Sequence, residues 1–140
     1  MYIINFSHPI GEDALHAIKA HVGSEITVLP VDVHVDRSIS VSEHAVSIVA
    51  AVPLTAEQWQ TASLAVVPPG LSVLACTVLA EIHGRAGYFV PLVVMRPVAQ
   101  SVPPRFEFHQ IVDLFAQREH ARQSRYKPVA DGESTNVTNS

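Results

Sequence analysis

Asn5, Ser7 and His8 fall within four residues of one another in "IINFSHPIGED", residues 3–13. An amide, a hydroxyl and an imidazole so close together can reach a ribose, a base edge or a phosphate, and imidazole is the side chain that also exchanges protons near neutral pH. A second polar break, "VPPGLS", brings Pro68, Pro69, Gly70, Leu71 and Ser72 after an apolar run. Its chemistry is that of the backbone. A chain entering a helix leaves its first N–H groups unpaired, and together with the helix dipole they bind an anion. Gly70 permits close approach or positive φ, the two prolines stiffen the turn, and Ser72 adds a hydroxyl. Glu12 and Asp13 already complement the first helix start, whereas Leu71, Val73 and Leu74 leave the second uncompensated. The Pro68–Ser72 loop is therefore the expected phosphate contact, and the Asn5–His8 loop the expected reader of ribose or base. Cations at the same rim would come from Arg96, directly after the fourth strand, or from Arg37, after the second.

Each feature also has an ordinary structural reading. Pro-Pro-Gly after a strand makes a turn, and Ser-x-Pro before a helix makes a cap. His8 can serve that cap, Arg96 can be an exposed turn arginine, and Phe6 offers a base a stacking face only if it turns outward from the core. "HGRAGY", residues 83–88, reads as a helix C-terminus, with Gly84 or Gly87 as the left-handed cap. The eight histidines show no i, i+4 pair and no cysteine partner at metal-ligand spacing, so neither a metal nor a cofactor is expected. Ser7 beside His8 does not make a hydrolase pair, and no G-x-S-x-G occurs.

The elements that must position these residues follow from periodicity. Tyr2–Phe6 reads as a buried strand, with Pro9 in the first turn of a helix running to about Val22 on the stripe Ile10, Ala14, Leu15, Ile18 and Val22. Glu25–Val33 reads as a strand that Pro30 marks as an edge, and Ser42–Ala51 as a helix. Thr55 and Gln58 form a capping box before the strand Leu64–Val67. A helix from Leu71 to about His83 follows, then a strand Tyr88–Met95, the alternating "RFEFHQ" as an antiparallel edge, and a helix over 111–124. Strand and helix alternate three times, which predicts an α/β, small Rossmann-like three-layer fold, mostly parallel with an antiparallel edge strand. Strand order 2-1-3-4 would put both polar breaks at the crevice beyond the first and third strands. Residues 1–124 are expected to form one domain. The polar end, 125–140, has no periodicity and is expected to be disordered.

Composition narrows the partners. Only 16% of residues are charged, and the net charge of −4 lacks the basic footprint of a duplex-binding protein. No apolar run reaches the ~20 residues of a membrane helix. With one cysteine, Cys76, and no signal-peptide pattern, the cytoplasm is the expected compartment. The helix "LSVLACTVLAEI" is apolar on nearly every side, which predicts a second cover and hence a homodimer whose two crevices could form one composite site.

"MYIINFSHP", "PPGL", "AEIHGRAGYF" and "RPV…RFEFHQI", in that order over residues 2–115, resemble the CRISPR-associated ancillary family Csx-fifteen, found beside type III CRISPR systems. The resemblance implies a CARF-like homodimer that binds cyclic oligoadenylate, above all cyclic tetra-adenylate, and sequesters it as a sponge. Family motifs map onto Asn5, Ser7, His8, Pro68, Pro69 and Gly70, and onto His83, Arg85 and Tyr88. Three functions are therefore open: a sponge, a metal-independent ring nuclease in which His8 activates a ribose hydroxyl, and a dimeric scaffold without a nucleotide. The expected ligand contacts are Asn5, Phe6, Ser7, His8, Pro9, Pro68, Pro69, Gly70, Leu71, Ser72 and Arg96.

Overall fold

The computed structural model describes residues 1–126. Residues 127–140, most of the expected disordered tail, lie outside the described residues. Among the described residues, five strands form one sheet in the order β2-β1-β3-β4-β5. β1 (Tyr2–Asn5) pairs in parallel with β2 (Thr27–Pro30) and β3 (Leu64–Val67), β3 pairs in parallel with β4 (Leu92–Pro97), and β5 (Phe106–Val112) closes the edge antiparallel to β4. The α/β, mostly parallel, Rossmann-like arrangement expected from the alternation is the arrangement observed, with Pro30 on an edge strand.

Alternation along the buried strands builds a core on each face. Ile3, Ala65, Val67 and Val93 face α1 (Glu12–Val22) through Ile18. Ile4, Leu64 and Val66 face α2 (Val41–Ala50), α3 (Ala56–Thr61) and α4 (Ser72–Ala86) through Val49, Trp59, Leu74, Val78 and Ile82. Successive strand residues point to opposite faces, so two covered faces require the continuous apolar runs seen in β1 and β3.

Several boundaries differ from the sequence reading, each for a local reason. α1 begins at Glu12 with Gly11 as N-cap, so Pro9 stands in the loop and not in a first turn. α5 (Leu114–Tyr126) starts late because Ile111 and Val112 complete β5 and the Asp113 carboxylate accepts from the Ala116 N–H at 2.9 Å. The Thr55–Gln58 capping box is present in both directions. Gly87, at φ 85°, caps α4 and donates to His83 O, so "HGRAGY" ends a helix. Arg85 pairs with Glu81 and lies over Trp59.

α4 buries one stripe, Leu74, Val78, Ile82 and Ala86, against the sheet. Its opposite side leaves Leu71, Val73, Cys76 and Ala80 exposed. Among the described residues, no helix is long and apolar enough to cross a membrane.

Candidate functional site

β1 and β3 lie side by side in parallel, with Asn5 opposite Val67, and the Phe6 N–H donates to Val67 O at 3.0 Å. Their C-terminal ends therefore open at one rim. A hollow of about 270 Å³ sits there, walled by Ser7, His8 and Pro9 on one side and by Val67, Pro68, Pro69 and Gly70 on the other, with Val93–Met95 and Phe106 closing it. Both polar breaks meet at the crevice that the strand order predicts.

The Asn5 side chain is 3% exposed and makes the turn that follows it. Its Oδ1 accepts from the Ser7 N–H at 3.0 Å and its Nδ2 donates to His8 O at 2.9 Å. A side chain so buried and so paired positions the loop. Asn5, expected as a ligand contact, is not among the residues that line the hollow. Phe6, at 3%, belongs to the core beside Trp59 and Val31, which removes it as a stacking face. Ser7, His8 and Pro9 are exposed on the cleft wall.

On the opposite wall Pro69 is buried and Gly70 exposed. Gly70 has no positive φ, and a Cβ added to it would meet nothing within 4 Å, so the chain's own packing does not demand glycine there. α4 begins directly after it. No side chain caps this helix and its first turn holds no acid, while the first helical bond is Ala75 N–H to Leu71 O. The amides of Ser72, Val73 and Leu74 thus have no partner within the helix. The other helices are better compensated. α2 is capped by Ser40, α3 by Thr55, α5 by Asp113, and α1 carries Glu12 and Asp13 in its first turn.

Arg96 does not join the hollow. Its Nε donates to Glu107 Oε1 at 2.8 Å and its Nη1 lies 3.1 Å from His109 Nδ1, so the guanidinium is spent across the β4–β5 ladder. Residue parity explains this. Met95 and Phe108 are opposite one another on the α1 face, and Arg96 with Glu107 must therefore point the other way. Leu71 likewise faces away, into a second hollow of about 880 Å³ that also holds Arg37, Asp36 and His44. There the Ser38 hydroxyl and N–H both donate to Asp36 Oδ1 and hold its carboxyl below the ordinary value.

Phe106 is the residue the sequence reading missed. Its ring stacks on His8, with centroids 5.1 Å apart and planes 15° from parallel, and it remains 40% exposed. The only signal was the alternation in "RFEFHQ", which puts Phe106 and Phe108 on one face without saying what that face meets. Among the described residues, no three His, Cys, Asp or Glu side chains gather as a metal ion would require. Compared with family models, curated proteins and solved structures, the chain matches none.

Proposed function

We propose that this protein binds and sequesters a cyclic oligoadenylate, cyclic tetra-adenylate above others, as a CARF-like sponge of type III CRISPR signalling in the cytoplasm. The observation that best supports this reading is the shared hollow beyond β1 and β3, with the uncapped start of α4 at its rim. A phosphate at the Gly70 end of the hollow would approach the amide donors of α4 and the positive end of a dipole whose own first turn holds no acid. Ser7 and His8, held in place by Asn5, face it from the opposite wall and suit ribose or base contacts. The hollow supports a nucleotide ligand, and the family resemblance suggests which messenger it is.

A homodimer belongs to the same proposal. Val41, Val46, Leu71 and Val73 are each more than a third exposed on the α2–α4 side, an apolar surface that a second copy would cover. Two-fold pairing places two hollows about one axis, which suits a ring of four phosphates.

Incubation of the protein in molar excess with labelled cyclic tetra-adenylate, followed by filter retention and product sizing, tests the reading. Retained intact ring is the expected result. Linear fragments would instead support a ring nuclease, and no retention would leave a dimeric scaffold.

A further inference from the structure

The hollow at β1 and β3 continues past His8 into a larger cleft of about 820 Å³ between the start of α1 and the β4–β5 hairpin, and His8, Pro9 and Phe106 line both. The two compartments differ in charge. The smaller holds no acid, whereas Glu12 and Asp13 line the larger with Arg105 as its cation; Glu107 borders it too, but its carboxylate is turned with Arg96 to the other face of the sheet. Glu107 is already paired with Arg96, and Arg105 is outnumbered by Glu12 and Asp13. Phosphate is disfavoured in such a place, while a heterocycle with exocyclic amino groups is not, because carboxylates accept from those groups.

The boundary between the compartments is aromatic. Phe106 sits on an edge strand with 40% of its surface open, against an exposed histidine ring nearly parallel to it. An exposed aromatic face beside a phosphate-favouring hollow is the arrangement by which single-stranded nucleotides are held, with the base stacked and the phosphate on backbone donors. We propose that Phe106 is the stacking platform for a purine base, with the base on the α1 side of the His8–Phe106 pair and its phosphate on the α4 side. This deepens the proposed nucleotide reading and rests on it for the phosphate's place, but it names a residue and an orientation of its own.

Phe106→Trp turns the platform into a fluorophore over the constant background of Trp59, which is buried. Titration with adenosine monophosphate and with cyclic tetra-adenylate is expected to quench the added emission. Uridine monophosphate should quench less, and ribose 5-phosphate not at all. Phe106→Ala should weaken retention of cyclic tetra-adenylate by roughly ten- to a hundred-fold, and Phe106→Tyr should restore it, since stacking needs the ring and not its substituent. Quenching by adenosine monophosphate without retention of the ring would keep the platform and end the messenger reading. Retention undiminished in Phe106→Ala with no quenching by any base would end the platform and keep the messenger reading. Silence of every probe would overturn both.

Discussion

Asn5 and His8 are joined by the hydrogen bond from Asn5 Nδ2 to the His8 carbonyl oxygen at 2.9 Å, made by a side chain that solvent scarcely touches. With the second bond to the Ser7 amide, one buried side chain fixes the geometry of a loop whose own side chains are exposed. Asn5→Ala should leave two part-buried backbone groups unpaired and cost about 1–3 kcal/mol in urea unfolding. Asn5→Asp keeps the acceptor for the Ser7 amide but sets a buried carboxylate oxygen against the His8 carbonyl oxygen, so its loss at neutral pH should be at least as large. Equal stability of Asn5→Ala and wild type would show that the turn holds without the amide.

Gly70 separates the requirements of folding from those of binding. Its backbone is not left-handed and the space beside it is open. Gly70→Ala should therefore keep or raise stability, by about 0.4–1 kcal/mol from reduced freedom of the unfolded chain. Ligand retention should fall, because Gly70 lines the proposed phosphate hollow and the added methyl group takes up open space there. A variant that loses stability, or binds as wild type does, contradicts this.

Homodimerisation through α4 predicts that Ala80→Glu, on the exposed side of that helix and away from its start, leaves the monomer folded and halves the mass in light scattering. An unchanged mass would place any interface elsewhere.

Asp36 supplies the pH dependence. Its pKa is lowered by the Ser38 hydroxyl first and the Ser38 amide second. A carboxyl depressed in the fold adds stability above its unfolded pKa, about 3.9, and that stability is lost as the pH falls through the folded value. Ser38→Ala should move the Asp36 titration upward in carboxyl-detected NMR and remove the hydroxyl's share of that stability at neutral pH, while stability at pH values below the titration stays as in wild type. A titration that stays in place would assign the shift to some other contact.

The sheet was legible because its signals are repeated. Every strand of the continuous apolar kind, and the capping box at Thr55, reports on neighbours within a few residues. The crevice followed from strand order, which alternation and crossover rules constrain. What escaped depended on distant partners. Asn5 reads as a polar ligand contact until its own turn is seen to consume both ends of its amide. Arg96 reads as a rim cation until parity across β4 and β5 aims it at Glu107. Phe106 became visible only when the hairpin folded back to His8, nearly a hundred residues upstream.

Leu71 gives the most direct test of the claim that the start of α4 holds a phosphate. It occupies the N-cap in an extended conformation with no capping bond. Leu71→Asp supplies the missing cap and a negative charge at the amides, so it should stabilise the fold by about 0.5–2 kcal/mol and repel an anion from the same place. Calorimetric titration of cyclic tetra-adenylate should give one ring per two wild-type chains and no measurable binding to this stabilised variant, whose mass in light scattering should match wild type and so separate loss of the phosphate site from loss of the surface to which Leu71 also belongs. Equal heats for both proteins, or none for the wild type, would contradict it.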